Sequence, residues 1–89
     1  MNIYVGNLSA QVTDDELQQQ FTAFGKVTSV TIINGKYFGK FRGHGFVEMP
    51  SLSEGGAAIA ALNKAALRDR RINVIEALPL SHKAGPSLR

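Results

Sequence analysis

Two hydrophobic periods alternate along the 89 residues, and their order limits the fold more than any other feature. Runs with the period of two that marks a strand occur at residues 3–5, 27–33, 42–50 and 72–77. The second run, from Val27 to Ile33, is β-branched throughout except at Ser29. Two stretches with helical spacing interrupt them. Thr13-Asp14-Asp15-Glu16 is a capping box, in which the threonine hydroxyl accepts the amide of Glu16 and the glutamate reaches back. Val12 before it and Leu17 after it suit a hydrophobic staple. Leu17, Phe21 and Phe24 then share one helix face, and Gly25 is expected to end the helix in a left-handed conformation. Ser51-Leu52-Ser53-Glu54 offers a second capping box, with Ala58, Ile59 and Leu62 as the buried stripe. Gly55 and Gly56 weaken its start, and Asn63 ends it. Asn34-Gly35 is expected to begin a turn or loop.

The order is strand, helix, strand, strand, helix, strand, which makes two β-α-β units. Each crossover leaves room for a strand between its pair. Interleaving them predicts an α+β fold of the ferredoxin-like β-α-β-β-α-β type: a four-stranded antiparallel sheet with two helices on one face. Residues 1–77 form one domain, and 78–89, with two prolines, one glycine and two serines, read as a disordered tail. The predicted inner layer holds Ile3, Val5, Val30, Ile32, Val47, Met49, Ile72 and Val74 together with the helix stripes. A chain this short has no second layer for the other face of the sheet.

Alternation then dictates what stands on that face. If Ile3 and Val5 point inward, Tyr4 points outward. If Val47 and Met49 point inward, Arg42, His44, Phe46 and Glu48 point outward. Gly43 and Gly45 fall on the inner side, where they are expected to let a helix come close. Aromatic side chains beside an arginine on an open face imply a partner.

Charge indicates which kind of partner. Residues 1–16 hold three acids and no base, 17–47 hold Lys26, Lys36, Lys40 and Arg42 and no acid, and 48–89 hold six bases and four acids. A purely basic central block on a chain of net charge +3 suits an anionic partner, nucleic acid first. Other chemistries find little support. Without cysteine, and with only His44 and His82, no metal site is expected. Gly43-His44-Gly45 lacks the third glycine of a dinucleotide loop, and Gly25-Lys26 lacks the rest of a phosphate loop. Asp14, Asp15 and Glu16 belong at a helix N-terminus, where negative charge is favoured. No catalytic residue and no cofactor are expected. The longest strongly apolar run, residues 57–62, is too short for a membrane span, and a cytoplasmic location is expected.

Two stretches carry a resemblance. Ile3-Tyr4-Val5-Gly6-Asn7-Leu8 resembles the hexamer of the RNA recognition motif, and Arg42-Gly43-His44-Gly45-Phe46-Val47-Glu48-Met49 resembles its octamer. The resemblance covers residues 2–77, and more narrowly the chain is similar to the small stand-alone single-motif proteins of bacteria. It implies that Tyr4 and Phe46 stack on neighbouring bases and that Arg42 meets a phosphate. His44 stands where the family has phenylalanine or tyrosine between riboses. Met49 replaces a core aromatic.

The expected function is therefore single-stranded RNA binding by a monomer, through base stacking and basic phosphate contacts, in post-transcriptional regulation or RNA chaperoning. The site is expected to comprise Tyr4, Lys36, Lys40, Arg42, His44, Phe46 and Glu48. Loop residues 34–41 hold three aromatics that either add stacking surface, pack on the sheet edge or extend the hairpin. Two alternatives stay open: single-stranded DNA, since stacking does not sense the 2′-hydroxyl, and a protein-binding module of the same fold.

Overall fold

A computed structural model describes residues 1–35 and 42–77. Its elements are β1 (Asn2–Leu8), α1 (Asp14–Thr22), β2 (Ser29–Gly35), β3 (Arg42–Glu48), α2 (Leu52–Leu62), β4 (Ala66–Leu67), β5 (Arg70–Arg71) and β6 (Asn73–Glu76). The sheet runs β2-β3-β1-β6 with every neighbouring pair antiparallel, the expected interleaving of two β-α-β units. β4 and β5 make a small separate hairpin that periodicity did not reveal.

One core cluster joins the inner row of the sheet to both helices. Ile3, Val5, Val47, Met49, Ile72 and Val74 are buried with Leu17 and Phe21 of α1 and with Ala58 and Leu62 of α2. Val30, Ile32, Phe24 and Ile59 pack against it, half-buried. Leu8 and Leu67 complete it. Burying each large apolar side chain contributes about 1.5–3 kcal/mol, so this layer holds the helices to one face.

The first capping box forms with both of its bonds: Glu16 N donates to Thr13 Oγ1 at 3.1 Å, and Thr13 N donates to Glu16 Oε1 at 3.4 Å. Val12 and Leu17 are both buried beside it, as a staple requires. At α2 only half of the expected box appears. Ser51 Oγ accepts from Glu54 N at 3.2 Å, but the Glu54 carboxylate crosses to accept Lys26 N at 3.2 Å. That carboxylate fills the space where a Cβ on Gly25 would lie, and Gly25 is not left-handed. Gly25 is therefore not the predicted left-handed stop: Ala23 closes α1 in a right-handed conformation, and Gly25 makes room for Glu54. Gly55 is similar, since the Met1 thioether occupies its Cβ position.

Two further expectations are corrected. Asn34 and Gly35 do not begin a turn; they continue β2, opposite Gly43 and Arg42, because the β3 backbone is there to pair with them. Gly43 and Gly45 are buried as predicted. At Gly45, however, the close neighbour is a strand and not a helix: a Cβ there would lie 2.7 Å from the carbonyl oxygen of Thr31 on β2. The expected tail and the loop tip at 36–41 lie outside the described residues.

Two glycines thus predict opposite responses to alanine. Gly45→Ala must push backbone against backbone and should cost about 1–3 kcal/mol. Gly56, on α2 with open space around it, should gain about 0.5–1 kcal/mol as alanine. Urea denaturation of both variants checks this, and an unchanged midpoint for Gly45→Ala would contradict the packing described.

Candidate nucleic-acid interface

Strand register builds the open face row by row. Tyr4 on β1 lies opposite Phe46 on β3 and, on its other side, opposite Ile75 on β6. Thr31 of β2 extends that row beyond Phe46. One step along, Ile33 lies opposite His44. One step the other way, Ser29, Glu48 and Asn2 form the next row.

Three rings meet in the middle. The centroids of Tyr4 and Phe46 are 5.7 Å apart with planes at 64°, an edge-on contact. His44 lies 5.9 Å from Tyr4 and 6.0 Å from Phe46, the latter at 89°. Such contacts contribute about 0.5–1.5 kcal/mol beyond area burial, and they hold each ring in place. Phe46 remains 38% exposed and Ile75 54% exposed. A one-layer sheet thus displays an apolar strip with no part of the described chain above it.

Gly6 determines how Tyr4 lies. The far end of the phenol, its Cε2 and its hydroxyl oxygen, comes within 2.9 Å of where a Cβ on Gly6 would sit. The ring is laid along β1 in the space that glycine leaves. Beyond it the face sinks into a depression of about 220 Å³ lined by Tyr4, Gly6, Asn7, Gly43, His44 and Asn73. Asn7 takes a left-handed backbone, φ 60°, inside the irregularity that separates Val5 from Leu8 in the β1–β3 ladder. Asparagine tolerates this conformation better than most residues.

Of the expected site residues, the structure brings Tyr4, His44 and Phe46 into one cluster. Glu48 is exposed on the same face, two residues beyond Phe46, with Ser29 Oγ 3.5 Å from its carboxylate. Arg42 is placed by its backbone at the start of β3, opposite Gly35. Lys36 and Lys40 fall outside the described residues. Sequence reasoning missed Thr31, Ile33, Asn73 and Ile75, although the alternation that turned Tyr4 outward also turns these outward. It also missed Gly6 and Asn7, whose roles depend on ring placement and a bulge.

No group of three or more possible metal ligands occurs among the described residues. Among those residues, too, no helix is long and apolar enough to cross a membrane.

A sheet order of β2-β3-β1-β6 with paired aromatics on its two central strands is the arrangement that the hexamer and octamer imply. The family model described as "RNA recognition motif" matches residues 3–73, and the chain belongs to that family. It is similar to the protein named "Putative RNA-binding protein RbpE" of Nostoc sp., 44% identical over 87 residues that span 98% of this chain and 88% of the relative. Among solved structures it is similar to "RNA Binding Protein PG1", with TM-score 0.79, 39% identity, and coverage of 89% of this chain and 95% of that one. It is also similar to the protein of an "SXL-LETHAL PROTEIN/RNA COMPLEX", with TM-score 0.76, 32% identity, and coverage of 88% of this chain and 47% of that one. The family and these names describe binding proteins and not enzymes.

The seat under Tyr4 can be tested alone. Gly6→Ala should leave the fold intact but lift the phenol, weakening the nuclear Overhauser contacts between the Tyr4 and His44 rings. Unchanged contacts would show that Gly6 does not set the ring's position.

Proposed function

We propose that this protein binds single-stranded RNA on the open face of its sheet. The observation that carries the reading is the cluster of Tyr4, His44 and Phe46, held at 5.7–6.0 Å spacings on an exposed surface. An exposed aromatic strip of this kind is costly to keep in water unless a ligand covers it. Membership in the RNA recognition motif family and the RNA-binding names of the relatives support RNA as that ligand.

Tyr4 and Phe46 stack on two neighbouring bases. Each stack contributes about 1–3 kcal/mol and is tolerant of sequence, since every base has a π-face. His44 contacts a sugar or a base and stacks less strongly than a phenyl ring. Lys36, Lys40 and Arg42, from the basic central block, meet phosphates. The Glu48 carboxylate accepts from a base amino group, as carboxylates do with the cytosine N4 amine. Two good stacks and a few phosphate contacts, set against the ordering of a flexible strand, give an affinity near micromolar for a short oligonucleotide, with clear dependence on salt. A single domain over residues 1–77, acting as a monomer in the cytoplasm, suits post-transcriptional regulation or RNA chaperoning.

Tyr4→Ala and Phe46→Ala should each weaken binding of a short single-stranded RNA about ten-fold or more, equal to about 1.4 kcal/mol. Loss of the ring contacts should cost about 0.5–1.5 kcal/mol of stability, so both variants should stay folded. Fluorescence anisotropy with circular dichroism as a fold control measures both. Folded variants with unchanged affinity would sink the proposal.

A further inference from the structure

Four cations stand on or beside the β4–β5 hairpin, and they are not equivalent. Arg68 is paired: its Nε lies 3.0 Å from a carboxylate oxygen of Glu16. The other three bond only neutral atoms among the described residues. Arg70 Nη1 donates to Asn7 Oδ1 at 3.1 Å, Lys64 Nζ donates to Asn73 Oδ1 at 3.1 Å, and Arg71 Nη1 donates to the Lys64 carbonyl at 3.1 Å. Asn7 Nδ2 closes the set by donating to the Arg71 carbonyl at 2.8 Å. Amide and carbonyl oxygens orient a cation without cancelling its charge. Asp69, the acid nearest in sequence, is exposed and pairs with none of the three.

Asn7 and Asn73 also line the depression beside Tyr4. Two unneutralised cations are therefore tethered to its walls. A guanidinium has five N–H donors and an ammonium three, so Arg70 and Lys64 each keep most of theirs for something else. The Lys64 backbone is left-handed, φ 71°, a conformation that favours glycine and strains an L side chain. A lysine is held where glycine would be more comfortable, and it is aimed at the rim of the depression.

We propose that Arg70 and Lys64 form a phosphate site at the edge of this depression, gripping a phosphate of the strand whose bases stack on Tyr4. The proposal rests on the RNA-binding reading and extends it with a second cationic arm, on the side of Tyr4 away from β2. Asn7 and Asn73 are its positioning residues: they fix the two cations and do not themselves supply charge.

The test is the salt dependence of binding for 3′-labelled single-stranded RNA, prepared with and without a 5′-phosphate, to wild type, Arg70→Gln, Lys64→Gly and Arg68→Gln. Arg70→Gln and Lys64→Gly should each weaken binding several-fold at low salt and lower the log–log salt slope by about 0.7, one single-strand phosphate contact. Lys64→Gly should do so while melting no lower than wild type, because it relieves the left-handed strain. Arg68→Gln changes net charge equally but should leave the slope unchanged. Slope losses on both RNAs assign an internal phosphate, and losses only on the 5′-phosphorylated RNA assign the terminal one. Wild-type slopes in both variants, or an equal loss in Arg68→Gln, overturn the proposal while leaving RNA binding intact. Absence of wild-type binding to either RNA overturns the reading beneath it as well.

Discussion

The register of β1 against β3 is the constraint on which the rest depends. With Ile3 opposite Val47 and Tyr4 opposite Phe46, one side of the central pair is aliphatic and the other aromatic. A one-residue slip of β1 would take Tyr4 into the core and Ile3 and Val5 into water, and the ring pair with Phe46 would be lost. Burial of the inner row therefore fixes the outer row, and the site inherits its geometry from the core. The ladder then breaks between Val5 and Leu8, where Asn7 turns left-handed. That break ends the aromatic strip and opens the depression next to it.

Small residues and redirected polar groups adapt this frame. Gly45 admits the β2 backbone, so that β2 can sit beside the strand that carries Phe46. Gly6 gives the Tyr4 ring its bed. Gly25 receives the Glu54 carboxylate, which ties the start of α2 to the loop after α1 through Lys26 N. Glu16 has two tasks, capping α1 and pairing with Arg68 of the hairpin. The hairpin is thereby anchored to the body by one neutralised arginine, while Arg70 bonds the neutral Asn7 beside the depression. Packing, capping and surface charge are thus parts of one arrangement.

Much of this was legible in the sequence, for reasons that can be named. Alternation places Tyr4, His44 and Phe46 outward without any structure, because the period of a strand is two and the inner set is plainly apolar. The element order follows from two capping tetrads and four β-branched runs. The misses have physical causes as well. Asn34-Gly35 has turn chemistry, but a partner strand overrode it. Gly25 has the position of a left-handed stop, yet the space it leaves was claimed by a side chain 29 residues away. The hairpin at 66–71 has two-residue strands, too short to show a period, and Leu67 is its only buried hydrophobic residue. The left-handed Lys64 and Arg68 carry no glycine or asparagine to announce them. Ile75 and Asn73 were legible and overlooked, since the parity of Ile72 and Val74 decides them.

The central claim is that the sheet face, and not a helix, meets single-stranded RNA. Titrating the isotope-labelled protein with a short single-stranded RNA and following its amide and side-chain resonances tests this most directly. The account predicts the largest shifts at Tyr4, His44, Phe46 and Ile75 and at the backbone of β1 and β3, with α1 and the exposed side of α2 nearly still. Shifts concentrated on the helices, with the aromatic cluster unmoved, would contradict it.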